Sequence, residues 1–70
     1  MSDGRVARVT EVIAASPVSF DEAVKYCFER ANRTLRNITG MRIVEWRINC
    51  EGGSIQEYRV RAEVIFVLDE

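Results

Sequence analysis

Residues 41–68 read MRIVEWRINCEGGSIQEYRVRAEVIFVL, and this stretch decides the fold. It contains two runs rich in Val, Ile, Tyr, Phe and Trp, the residues that strands favour. A pair of glycines between them supplies the positive backbone angles of a tight turn. The stretch therefore predicts a strand over residues 41–50, a turn over 51–54 and a long strand over 55–68.

Side-chain alternation in these strands predicts one regular apolar face and one mixed face. The apolar face is expected to carry Val44, Trp46, Ile48, Cys50, Tyr58, Val60, Ala62, Val64, Phe66 and Leu68. The mixed face is expected to carry Ile43, Glu45, Arg47, Asn49, Glu57, Arg59, Arg61, Glu63, Ile65 and Val67. A helix packed on the apolar face would complete a core that includes Trp46.

The preceding segment predicts that helix. Ser19 followed by Glu22 has the spacing of a capping box, in which the serine caps the first turn. The apolar residues after it follow one helical stripe: Phe20, Ala23, Val24, Cys27, Ala31, Leu35 and Ile38. Gly40 is expected to end the helix in a left-handed conformation. Cys27 and Cys50 both fall on apolar faces and are expected to be small buried residues.

Residues from about 5 to 14 are rich in Val, Thr and Ile and predict a first strand. The fold class is then α+β, a β-α-β-β unit with a three-stranded antiparallel sheet and one helix packed on one face. A 14-residue strand reaches about 46 Å, which is longer than one helix covers. The apolar strand ends and the exposed sheet edges predict that the chain assembles with copies of itself into a homo-oligomer.

Composition excludes several classes of function. The 70 residues form a single predicted domain, 1–70, with a net charge of −1 that gives no reason to expect nucleic acid or an anionic membrane. The chain has no histidine and only two cysteines, so neither an enzyme nor a metal site is predicted. Residues 1–4 lack a signal region, and no apolar run approaches the roughly 20 residues of a membrane span, which predicts a cytoplasmic protein.

Five segments together resemble the dodecin family: Ser16 to Val24, TLRNI at 34–38, IVEWR at 43–47, EYRV at 57–60 and FVLDE at 66–70. Dodecins are β-α-β-β subunits that assemble as twelve copies into a hollow sphere. The resemblance therefore implies a hollow homododecamer. Flavin-binding members store stacked pairs of riboflavin or flavin nucleotide (FMN) between subunits, and some members bind coenzyme A. Flavin is the first candidate ligand, and coenzyme A is another.

The resemblance also implies the cofactor-binding positions, which differ here from the family pattern. Gly40 stands where flavin-binding dodecins have a stacking tryptophan. Arg59 stands in place of a glutamine that grips the flavin, and Val67 replaces an arginine. Arg47 matches the family. Gly40, Arg47 and Arg59 are the predicted cofactor-binding residues, and no catalytic or metal-binding residue is predicted.

Two features admit alternative interpretations. Trp46 would be a displaced flavin stacker or a core residue, and the alternation of the strand favours the core. The three arginines of the mixed face would form an anion or flavin-phosphate site between subunits or cross-strand ion pairs with its glutamates, and the evenly mixed signs favour ion pairs. These arginines are Arg47, Arg59 and Arg61, and the glutamates are Glu45, Glu57 and Glu63. Tyr26 and Phe28, which flank the helical stripe, are expected in a subunit contact.

Three hypotheses of function follow. The leading one is a dodecin-like oligomer that binds or sequesters a small ligand, with flavin the first candidate. The second is a structural assembly whose flavin site is lost or altered to take another ligand, which Gly40, Arg59 and Val67 favour. The third, an enzyme, is disfavoured because the chain has no histidine and no nucleophile–base pair.

Overall fold

The structure, a computed structural model, describes residues 4–68. It contains strand β1 (Ala7–Ser16), helix α1 (Phe20–Thr34), strand β2 (Ile38–Glu51) and strand β3 (Ser54–Val67). The strands form one antiparallel sheet in the order β1-β3-β2, so β3 is central. The predicted β-α-β-β order and α+β class are confirmed. Asp69 and Glu70, the end of the last family-like segment, lie outside the described residues.

The turn between β2 and β3 is the predicted glycine turn. Gly52 and Gly53 both have positive φ, 60° and 81°, and Glu51 pairs with Ser54. A Cβ at either glycine would meet nothing within 4 Å, so the backbone angle and not lack of space requires glycine.

The core lies between α1 and the middle of the sheet. Val60, Ala62 and Val64 of β3 are fully buried, as the alternation predicted. The helix contributes three small buried residues to this core: Ala23, Cys27 and Ala31. Small side chains on the buried stripe let the helix lie close to the sheet.

Helix α1 begins with a three-residue hydrogen-bonded cap. The Ser19 hydroxyl accepts a bond from the Glu22 amide at 3.0 Å, as predicted. The Glu22 carboxylate accepts a bond from the hydroxyl of Ser16 at 2.6 Å. Ser16 is fully buried, and its Oγ also accepts bonds from the amides of Val18 and Ser19 at 2.9 and 3.3 Å. This cap fixes where the chain leaves β1 and enters the helix.

The predicted end of the helix is wrong. The helix ends at Thr34, and the amide of the capping residue Leu35 donates to the Ala31 carbonyl. Asn37 takes the left-handed conformation, with φ of 61°, and Gly40 lies inside β2. Leu35 is extended, with φ of −106° and ψ of 146°, so the helix has ended before Asn37 is reached. Asparagine adopts the left-handed conformation more readily than other residues with a side chain.

The predicted faces of β2 are wrong at Ile43 and Val44. Ile43 lies opposite Ala62 and Glu45 opposite Arg61, so Val44 is an extra residue in the ladder. Such a bulge changes which face the following residues occupy. Ile43 therefore packs against the core, whereas Val44 is exposed.

Trp46 and Cys50 were predicted to be buried, but both are exposed. Trp46 lies opposite the buried Val60 on the helix-facing side, yet it is 53% exposed in the subunit. The chain extends 60 Å along its long axis, so the hairpin of β2 and β3 projects beyond the helix that covers its base. Cys50 lies next to the exposed turn.

Candidate functional site

The sheet face opposite α1 is the candidate site, and it is called the open face here. Its side chains form rows across the strands in the order β1, β3, β2. The rows are Val9–Ile65–Gly40, Glu11–Glu63–Arg42, Ile13–Arg61–Glu45 and Ala15–Arg59–Arg47. The open face is therefore apolar near Gly40 and charged along the rest of its length.

Two cross-strand ion pairs occupy the middle of the open face. Arg42 Nη2 lies 2.9 Å from Glu63 Oε1. Arg61 Nε lies 3.5 Å from Glu45 Oε1. The predicted cross-strand ion pairing is confirmed for Arg61 and Glu45, whereas Arg42 was not among the arginines predicted to pair on this face. Exposed pairs of this kind contribute little stability, about 1 kcal/mol or less each, so their main effect is to neutralise charge.

The next row places two arginines opposite each other. Arg47 and Arg59 are direct cross-strand partners. The Glu57 carboxylate accepts bonds from Nε and Nη2 of Arg59 at 2.9 and 2.7 Å, and from the side-chain Nδ2 of Asn49. These bonds and the charges of the two arginines lower the pKa of Glu57, so it stays ionised. Within residues 4–68, no carboxylate forms an ion pair with Arg47.

Gly40 lies at the opposite end of the open face. Its partner on β3 is Ile65, and a Cβ at Gly40 would lie 3.7 Å from the Ile65 Cδ1, an ordinary contact. The ladder partners of Gly40 and Arg47, Ile65 and Arg59, are six positions apart on β3, which corresponds to about 20 Å. One subunit therefore brings Arg47 and Arg59 together but not Gly40, so a site using all three would need more than one subunit.

The helix-facing side carries an aromatic cluster that the sequence analysis did not predict. The Phe20 ring meets the rings of Trp46 and Tyr58 edge-on, each with centroids 5.2 Å apart. Alternation alone placed Trp46 and Tyr58 on one face; their contact with Phe20 depends on where α1 begins. Since Trp46 remains half-exposed, the cluster presents an apolar surface at the base of the projecting hairpin.

A groove of about 380 Å³ lies between the last half of α1 and the edge strand β1. Its lining combines apolar and polar side chains: Thr10, Val12, Ile13, Arg30, Ala31, Thr34 and Leu35. The arginine pair of β2 and β3 is not part of this lining.

The two thiols differ in environment. Cys27 is buried, and burial raises the pKa of its thiol. Cys50 is exposed near the turn.

Among the described side chains, no group of three or more His, Cys, Asp or Glu is placed to hold a metal ion. In the same part of the chain, no helix is long and apolar enough to cross a membrane.

Together, the fold and the open face define a class: a small α+β subunit with one sheet face covered by a helix and the other left open. The chain belongs to the dodecin family, because the Dodecin family model matches residues 6–69. No curated protein matches the sequence.

Solved dodecin structures agree with this assignment. The dodecin of Streptomyces coelicolor is 32% identical, with a TM-score of 0.90 over 99% of each chain. The dodecin of Streptomyces davaonensis is 35% identical, with a TM-score of 0.88 over 99% of this chain and 100% of that one. A calcium dodecin of Mycobacterium tuberculosis, described as having a calcium-binding site, is 29% identical, with a TM-score of 0.79 over 91% of each chain.

Proposed function

We propose that this chain is the subunit of a hollow homo-oligomer, a dodecamer by analogy with the family, that binds and sequesters a small ligand. Flavin, as riboflavin or FMN, is the first candidate, and coenzyme A is the next. Family membership and the fold support a small-ligand-binding protein. The proposal assigns the protein storage and not catalysis.

Exposed apolar surface supports the assembly. Eleven large apolar side chains of the described residues are exposed: Val6, Val9, Ile13, Val18, Tyr26, Phe28, Val44, Trp46, Ile48, Ile55 and Leu68. A 70-residue chain buries only about 60% of its unfolded surface, so it gains little stability alone. Contacts between copies would cover these side chains and stabilise each subunit.

Ligand binding is carried by one observation, the placement of Arg47. Its side chain lies on the open face beside Arg59 and has no ion-pair partner within residues 4–68. A guanidinium offers several donors in a planar fork, which suits carbonyl, carboxylate or phosphate oxygens of a ligand. Arg47 is also the predicted position that matches the family pattern.

The second candidate function is a structural assembly without a flavin site, and Gly40 favours it. Glycine offers no ring to stack on a planar ligand, and Arg59 is already bonded to Glu57. In this case the oligomer would form normally, and either no ligand or one of a different shape would occupy the open face.

Light scattering with simultaneous visible absorbance tests both candidates. The proposed function predicts a mass near twelve subunits together with flavin bands, either as purified or after incubation with flavin. A colourless dodecamer that does not bind riboflavin, FMN or coenzyme A would favour the structural assembly. A monomer at micromolar concentration would overturn the proposal altogether.

Titration of the protein with flavin tests whether the ligand binds on the open face. We expect Arg47→Ala to weaken flavin binding by roughly tenfold or more, because a hydrogen bond from a charged donor is lost. Arg42→Ala is the matched control, since Arg42 lies on the same face but is paired with Glu63. Equal flavin affinity in the two variants would remove Arg47 from the site.

A further inference from the structure

We infer that the groove between α1 and β1 binds a small amphiphile that joins a carboxylate to an aliphatic chain, the chemistry of a medium-chain fatty acid. The groove is separate from the candidate site on the open face, because neither Arg47 nor Arg59 lines it. The inference therefore does not depend on flavin binding.

The walls of the groove are apolar. Val12 of β1 lies opposite the buried Ala62, and Ala31 of the helix is itself buried, so this part of the groove borders the core. Leu35, which ends the helix, and Ile13 complete the apolar lining. The groove volume of about 380 Å³ falls in the range of about 300–1,000 Å³ for small-molecule pockets, so an aliphatic chain fits between these walls.

Polar side chains from both elements line the same groove. Arg30 and Thr34 are four positions apart on α1, a spacing that stacks side chains on one side of a helix. Thr10 precedes Val12 by two positions on β1 and shares its helix-facing side. A guanidinium and two hydroxyls can donate hydrogen bonds to both oxygens of a carboxylate, and arginine is the one charged residue of the lining.

No acidic side chain balances Arg30 within residues 4–68. The three ion pairs in this part of the chain all lie on the open face and use other arginines. The neighbours of Arg30 on the helix surface, three or four positions away, are Tyr26, Cys27, Arg33 and Thr34, and none of them is acidic. An anionic group is therefore the complement that the groove lacks.

The end of the helix by itself disfavours an anion, because its last carbonyls carry a partial negative charge of about half a unit. Three arginines surround this end of the helix, Arg30, Arg33 and Arg36, whereas Glu29 is the one acidic residue among positions 23–36. Three positive charges exceed one carboxylate and the partial charge of the helix, so a bound carboxylate meets a net positive field.

A second copy of the chain is the other occupant to consider, because β1 is an edge strand. Ile13 belongs to an open-face row and reaches the groove around the free edge of β1. A copy that packs on Ile13 from the open face covers this wall from outside and need not fill the groove. An apolar segment that filled it would remove water from Arg30 without supplying a counter-charge, which costs free energy.

Methyl NMR of the assembled protein during titration with octanoate tests the inference. We expect the methyl signals of Val12, Ile13 and Leu35 to shift, while those of the exposed Ile48 and Ile55 in the hairpin stay in place. Acetate, which lacks the chain, and 1-octanol, which lacks the charge, should both bind more weakly. Each buried methylene strengthens binding by up to roughly fourfold, so hexanoate should also bind more weakly than octanoate.

Two arginine variants locate the carboxylate. Arg30→Gln should weaken octanoate binding by roughly fivefold, the effect of an ion pair that stays partly exposed to water. Arg33→Gln is the matched control, since it removes the same charge from the same helix but lies outside the groove lining, and it should change the affinity by less than about twofold. Equal effects of the two substitutions, or equal affinities for octanoate and 1-octanol, overturn the inference.

Absence of any octanoate-dependent shift at the groove methyls also overturns it, and is the result expected if a second copy fills the groove. Shifts of the hairpin methyls as large as those of the groove would show non-specific binding and overturn it as well. A protein that binds octanoate in the groove but takes up no flavin keeps this inference and loses only the proposed flavin function.

Discussion

Replacing Gly40 with tryptophan tests whether a missing ring limits flavin binding to this chain. The position accepts a side chain, since Gly40 has no positive φ and a Cβ there lies at ordinary contact distance, 3.7 Å, from Ile65 Cδ1. The ring would project from the open face at its apolar end, over the row formed with Val9 and Ile65. We expect Gly40→Trp to fold, to assemble and to bind flavin more tightly than the wild type.

The expected gain has two parts. Aromatic stacking contributes about 0.5–1.5 kcal/mol beyond area burial. If the ring and the flavin cover about 50 Å² of apolar surface, burial adds about 1.3 kcal/mol. Together these amount to roughly 2–3 kcal/mol, a gain of roughly 20- to 100-fold in affinity.

Quenching of flavin fluorescence on titration measures this gain, with Gly40→Ala as the control. Alanine supplies the Cβ and the backbone stiffening of the substitution but offers no ring. The reasoning is refuted if the tryptophan variant forms the same oligomer as the wild type yet binds flavin no more tightly than the alanine variant.

Three further predictions concern the fold and the assembly. Ser16→Ala should lower the free energy of unfolding, measured in urea at fixed protein concentration, by about 1–3 kcal/mol, because a buried hydroxyl that takes part in three hydrogen bonds is lost. Ser54→Ala, at an exposed position, is the control and should change the free energy of unfolding by about 0.5 kcal/mol or less. Equal effects of the two substitutions would contradict the role of the cap. The emission of Trp46, the only tryptophan, should shift to shorter wavelength on assembly, and an unchanged spectrum would exclude Trp46 from a subunit contact. At pH 8 a thiol reagent should label Cys50 before Cys27, because burial both shields the Cys27 thiol and raises its pKa; equal rates would contradict its burial.

The central strand and the start of the helix were predictable because each depends on local patterns. Alternation in β3 identified the buried residues Val60, Ala62 and Val64, since a central strand against one helix has one buried face. The serine of the cap was predictable from its spacing to Glu22. The bond from Ser16 to Glu22 was not, because it joins residues six positions apart across a chain reversal.

The end of the helix and the faces of β2 were not predictable from these patterns. Leu35 and Ile38 continue the helical stripe, so the stripe gives no sign that the extended backbone of Leu35 has already ended the helix. Ile43 and Val44 are both apolar, so the hydrophobic pattern reads the same whichever of them faces the core. The ladder contains the bulge at this point, and only the pairing reveals it.

The arginine pair shows why register matters for the site. Counting back from the pair of Glu51 and Ser54 would place Arg47 opposite Tyr58. A shift in the ladder between Asn49 and Cys50 moves the partner of Arg47 to Arg59 instead. Family resemblance named both arginines as candidates, but neither the resemblance nor the turn indicated that they are direct partners.

The distribution of side chains on the open face also indicates where contacts between copies should form. The exposed apolar residues Val9 and Ile13 lie on the edge strand β1, whereas Arg59 and Arg61 lie on the central strand β3. Burying an unpaired or weakly paired charge between subunits costs more free energy than burying an apolar side chain contributes. Contacts are therefore expected at the sheet edge and the strand ends, with the central charges left facing water or ligand. An oligomer built in this way keeps the charged centre of each open face accessible, which a ligand site on that face requires.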